Sequence, residues 1–100
     1  MNKEIKDNLS SIQNLLLQHK VQHAYLFGSA AKNEMKKDSD IDILIQFSKE
    51  LDIIEYGTNY FELLYALQDL LKREVDLVAE ETITNPYLRK SIDSNKIAIL

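Results

Sequence analysis

"GSAAKNEMKKDSDIDILI", residues 28–45, sets two aspartates, Asp40 and Asp42, on either side of an isoleucine at the head of an apolar run. The alternation of Asp40, Ile41, Asp42 and Ile43, giving way to Leu44 and Ile45, predicts a strand over about 41–47. One face of that strand starts polar and only later becomes apolar. Side chains two apart leave a strand on the same side, roughly 6.5–7 Å from one another along the backbone. Carboxylates held there repel unless something positive lies near them. A divalent cation satisfies both, and magnesium in particular takes oxygen ligands while bridging carboxylates to phosphates.

Upstream, "VQHAYLF" (residues 21–27) reads as a second strand, with Val21, His23, Tyr25 and Phe27 on one side and Ala24 and Leu26 on the other. Gly28 ends it and permits a tight change of direction. Backbone amides exposed at this strand-to-helix step, with no side chain in the way, form a place where a phosphate can approach. Ser29 can add a hydroxyl donor there, or serve as the N-cap of the short helix expected from Ser29 to about Met35. Lys32, on the next turn, could neutralise phosphate charge. Ser39 braces the turn before Asp40, while Lys36 and Lys37 fit a solvated loop. The segment is not a P-loop, because it lacks that motif's spacing and its lysine-serine/threonine pair. Before the strand, Ile5, Leu9, Ile12, Leu15 and Leu16 mark one face of a helix from about Lys3 to His19. His19 and His23 have no metal-ligand spacing and fit surface or core packing.

Downstream, a turn is expected over Asp52 to Gly57, then an amphipathic helix through Tyr60, Leu63, Leu64, Leu67, Leu70 and Leu71, ending near Arg73. Phe61 and the leucines are expected in its core, and Tyr56 or Tyr60 at an interface. "EVDLVAE" (residues 74–80) repeats the pattern of the 41–47 strand, with Asp76 between Val75 and Leu77. Taken singly, Asp40 reads as well as a turn cap and Asp76 as a solvent-facing edge residue. If the two strands are neighbours, the three carboxylates converge. Such a triad can hold two ions, one on a triphosphate and one activating an attacking hydroxyl, with Asp76 as ligand and proton acceptor. Thr84 or Asn85 could cap a last helix with Pro86 at its first position. "KIAIL" could add an edge strand or a partner-facing tail. This order of elements indicates α+β or α/β, and with no linker or repeat the expectation is one domain, 1–100.

Composition narrows the classes. With 45% hydrophobic residues in 100, the chain is globular, and 16 acidic against 12 basic side chains give a net charge of −4. That balance argues against broad attraction to nucleic acid. There are no cysteines, which removes disulfides and thiolate metal sites. No stretch reaches the ~20 apolar residues needed to cross a bilayer, so the expectation is no membrane and a cytoplasmic location.

Gly28-Ser29, ten residues, then Asp40-Ile41-Asp42, with Asp76 on a later strand, resembles the minimal nucleotidyltransferases of the DNA polymerase beta superfamily. The resemblance spans essentially the whole chain. It implies an α+β nucleotidyltransferase fold, a small mixed sheet flanked by helices. It also implies Asp40, Asp42 and Asp76 as catalytic ligands of Mg2+, and Gly28, Ser29, Lys32 and Ser39 as residues that hold ATP. Small members transfer AMP from ATP to a tyrosine of a HEPN ribonuclease toxin, as antitoxins of the type VII pairs. The implied partner is therefore a HEPN-family toxin, in a homo- or hetero-oligomer. A small-molecule or RNA hydroxyl as acceptor, and a non-catalytic antitoxin that acts by occlusion, are the alternatives. Two positions depart from the family pattern. Lys32 stands where arginine is usual, and Asn33 where glycine is usual; asparagine tolerates the backbone angles such a turn needs.

Overall fold

The computed structural model describes residues 1–100. Its centre is β2 (Ile41–Phe47), whose odd-numbered residues, Ile41, Ile43, Ile45 and Phe47, are buried on one face. β1 (Val21–Phe27) pairs with it antiparallel, and β3 (Val75–Ala79) pairs with it parallel on the other side. β4 (Ile97–Ala98) adds a short antiparallel edge to β1, giving a four-stranded mixed sheet in the order β3-β2-β1-β4. The parallel β2–β3 pair requires a crossover, and α4 (Ile53–Leu71) supplies it.

Helices α1 (Lys3–Asp7), α2 (Leu9–Gln18) and α4 cover the odd face of β2. Their Ile5, Ile12, Leu16, Leu63, Leu67 and Leu71 close the main core against Leu26, Ile43 and Ile45. Burying each such side chain contributes roughly 1.5–3 kcal/mol. On the opposite face, α5 (Pro86–Asn95) sets Ile92 against Phe27 and Leu44 in a smaller cluster. The Asn85 side chain accepts hydrogen bonds from the amides of Tyr87 and Leu88, so the cap with Pro86 at the helix start forms as expected.

Three local expectations are corrected. The N-terminal helix breaks at Asn8, whose side-chain amide donates to the Glu4 carbonyl at 2.8 Å. Val21 does not share a side with Tyr25 and Phe27: β1 is bulged between Val21 and His23, and Val21 packs in the main core. Such an extra residue reverses the alternation. The expected turn over residues 52–57 is the start of α4. Asp52 caps that helix by accepting the Glu55 amide at 2.8 Å, and Gly57 is absorbed at the modest cost of one helix-interior glycine.

The aromatic residues of α4 are also phased differently. Tyr60 turns inward and donates its hydroxyl to the Leu77 carbonyl at 2.7 Å, and Tyr56 packs edge-on against Phe47. Phe61, expected in the core, is 55% exposed. One step of about 100° along the helix separates these outcomes.

Candidate active site

β-Sheet register assembles the site. Phe27 of β1 lies opposite Asp42 of β2, and Asp42 lies opposite Asp76 of β3, so the end of β1 and two carboxylates form one row. Neighbouring strands are about 4.8 Å apart. Asp42 and Asp76 share the sheet face of Leu44 and Val78, beyond the cluster under α5. Asp42 is half-buried, and Asp40 and Asp76 are exposed.

The carboxylates meet without a counter-charge from the chain. Its ion pairs (Lys3–Asp7, Lys72–Asp69, Arg73–Glu4, Arg89–Glu80 and Lys96–Asp93) and the His19–Glu62 contact all lie elsewhere. Burial, the Asp76 and Asp40 charges, and a hydrogen bond with Asp76 push the Asp42 carboxyl up to about 6. Such a set of oxygen donors suits a hard divalent cation. The three do not close a ready cage: no group of three or more His, Cys, Asp or Glu side chains is gathered in metal-binding geometry. Asp42 and Asp76 make the pair. Asp40, one residue before β2, adds its charge from the mouth of the strand.

Gly28 opens α3 (Gly28–Ala31) with φ +60°, in the left-handed region. A Cβ there would run into Asp42 Oδ2 and stand 3.2 Å from Asp42 Cγ. The glycine therefore lets the end of β1 and the carboxylate coexist. Phe27, not Ser29, occupies the N-cap position of α3, and no side chain caps it. The first amides of α3 consequently keep their donors free of a side-chain partner. α3 is shorter than the expected Ser29–Met35, because Lys32 ends it and Asn33 follows at φ +56°. Asparagine thus makes the left-handed turn in place of glycine. Lys32 is exposed on this turn.

The loop into Asp40 is braced twice. The Lys36 amide donates to Ser39 Oγ at 2.8 Å, so Ser39 holds the turn. Arg73, just before β3, donates from Nη1 to the carbonyls of Lys36 and Ser39, both at 3.0 Å, and from Nε to Glu4 Oε2 at 2.8 Å. Its side chain is 15% exposed. Sequence reasoning misses Arg73, which only its place next to "EVDLV" could have marked. Arg73→Lys keeps the charge and loses the forked donors. The expected result is a loss of roughly 1–2 kcal/mol in urea unfolding.

The chain as a whole is similar to known proteins. Residues 10–100 match the family model described as polymerase beta, nucleotidyltransferase. A provisionally named protein adenylyltransferase of Methanocaldococcus jannaschii is 42% identical over 97 residues, covering 96% of this chain and 95% of that one. A solved toxin–antitoxin structure with AMP-PNP contains a chain that superposes with a TM-score of 0.75 at 29% identity, covering 93% of this chain and 73% of that one. A complex of a tri-AMPylated Shewanella oneidensis HEPN toxin with an MNT antitoxin is similar at a TM-score of 0.68 and 28% identity, covering 95% of this chain and 71% of the matched one.

Proposed function

Because this chain belongs to the polymerase beta nucleotidyltransferase family, we propose that it is a magnesium-dependent protein adenylyltransferase. It transfers AMP from ATP to a tyrosine hydroxyl of a HEPN-family ribonuclease toxin and so acts as that toxin's antitoxin. The observation that supports this most is the half-buried Asp42 beside Asp76, unpaired with any cation of the chain and packed directly against the side-chain-free backbone of Gly28. The name of the M. jannaschii relative, and the AMP-bearing toxin bound to a similar antitoxin, support a protein as acceptor.

Asp42 and Asp76 would hold the ion, with Asp40 completing its charge. Bound there, magnesium would supply charge neutralisation to the phosphates and acidify the acceptor hydroxyl. The chain's own groups do the rest. The backbone at Gly28 and the Ser29 hydroxyl hold the outer phosphates, Lys32 adds positive charge, and Ser39 keeps the Asp40 loop in place. The acceptor oxygen attacks the α-phosphorus; the new O–P bond forms as the bond to the β-bridging oxygen breaks, and pyrophosphate leaves. The hydroxyl proton passes to Asp76, whose exposure makes it reachable by a protein acceptor.

Incubation with ATP, magnesium and the partner ribonuclease, followed by mass spectrometry, tests the reading. The expected product carries additions of about 329 Da per AMP on partner tyrosine. An adduct on RNA or a small molecule, with none on the partner, would overturn the protein-acceptor assignment. Full suppression of the ribonuclease with no adduct would mean occlusion instead.

A further inference from the structure

The outer face of α4 has no partner within the chain. Ile54, Thr58, Phe61 and Tyr65 recur at helical spacing on the side turned away from the sheet. Ile54 is 76%, Phe61 55% and Tyr65 63% exposed. The Phe61 and Tyr65 rings stack on each other at 6.5 Å between centroids. A run of large apolar groups in water marks a contact surface more often than a lone one does.

Two further observations identify what covers it. Gly57 sits inside the helix beside this stripe, and a Cβ built on it would meet nothing within 4 Å. A helix-interior glycine weakens the helix; here no group of the chain needs the space, so the backbone is left bare for a close approach from outside. Along one flank, Glu55, Glu62 and Asp69 follow at seven-residue intervals, and α4 carries no lysine or arginine. The neighbouring α2 carries no charge; His19 Nε2 lies 3.8 Å from Glu62, and Lys72 3.3 Å from Asp69. An antiparallel second copy would bring two acidic rows together, so self-association is disfavoured. An apolar patch flanked by Lys and Arg is favoured, the kind of surface a ribonuclease needs to hold RNA phosphates.

We infer that the α4 face, with Phe61 and Tyr65 as anchors and Gly57 as the close-approach point, docks the cationic surface of the partner ribonuclease. This rests on the proposed function for the partner's identity. The face lies across the sheet from Asp42 and Asp76, so docking leaves those carboxylates uncovered. Holding the partner and presenting its hydroxyl are then separate contacts.

Titration calorimetry of the purified partner ribonuclease against variants tests the surface. Phe61→Ser is expected to weaken binding at least about 30-fold, the size of an interface anchor. Glu62→Lys is expected to weaken binding and flatten its salt dependence. Gly57→Ala is expected to raise the melting temperature of the free chain while lowering affinity, a combination that misfolding cannot produce. In transfer assays these variants raise KM for the partner and keep kcat. Affinity unchanged by Phe61→Ser and Gly57→Ala would overturn the inference. So would a free chain that is dimeric and is split by Phe61→Ser. A parent complex that forms through this face but yields no AMP adduct overturns the reaction and upholds the surface.

Discussion

Asp42→Asn is expected to raise the melting temperature of the metal-free protein by roughly 4–8 °C while abolishing AMP transfer. A stabilising change that destroys activity is the signature of a carboxylate placed for chemistry rather than for folding. Burial and the charges of Asp76 and Asp40 raise the Asp42 carboxyl from 3.8 to about 6. Its protonated form is therefore the one the fold prefers. Stability from this group is fully present below about pH 4 and is lost as pH rises through 6. The rise corresponds to at most about 3 kcal/mol, and solvent at this half-exposed position screens it to roughly 1 kcal/mol. Asparagine escapes the repulsion and can still hydrogen-bond Asp76. Magnesium should raise the melting temperature of the parent by mass action and leave that of the variant nearly unchanged. Below pH 6 the parent's transfer rate should fall, less steeply at high magnesium, as protons and cation compete for one carboxylate. Differential scanning calorimetry with and without magnesium measures the first effect. A variant that melts lower than the parent without metal would refute the argument.

Why Asp42 was legible, and Arg73 was not, follows from the range of the forces involved. Asp42 sits in a strand whose alternation is written over neighbouring residues, and the matching pattern around Asp76 makes a second strand of the same texture; that the two are parallel neighbours is visible only in the folded sheet. The row Phe27–Asp42–Asp76 then follows from register alone. Arg73 acts through the carbonyls of Lys36 and Ser39, groups every residue possesses, across a long separation in the chain. Nothing local beyond its place before "EVDLV" marks such a contact. The bulge that moves Val21 into the core is equally silent, since it depends on how Phe47 and Gln46 pair with β1. At α4 local signals competed: Asp52 and Gly57 both suit a turn, yet Asp52 acts as a cap and the nineteen-residue helix tolerates the glycine. The phase error at Phe61 has the same root. A helix rich in aromatic residues offers more than one apolar stripe, and only the packed sheet selects Leu63, Leu67 and Leu71 as the inner one.

The two glycines of this chain make opposite predictions for the same substitution. At Gly57 an alanine meets open space. At Gly28 it meets Asp42, and the expected outcome is loss of AMP transfer by at least about 100-fold together with a clear loss of stability. The backbone alone makes alanine costly there, by about 1–2 kcal/mol, because φ is +60°. Contact adds to this. The new methyl would overlap Asp42 Oδ2 and lie 3.2 Å from Cγ and 3.6 Å from Cβ. Asp42 cannot retreat with its strand, which is paired to Phe27 on one side and Asp76 on the other. The carboxylate must instead rotate out of the row, and the paired donors for an ion separate. A double-mutant cycle isolates that contact. With Asp42→Ala already present, Gly28→Ala should cost only the backbone part, so the two changes are less than additive in urea unfolding. Strict additivity would mean that Gly28 and Asp42 do not touch, and Gly28→Ala with parental transfer rates would remove the glycine from the site.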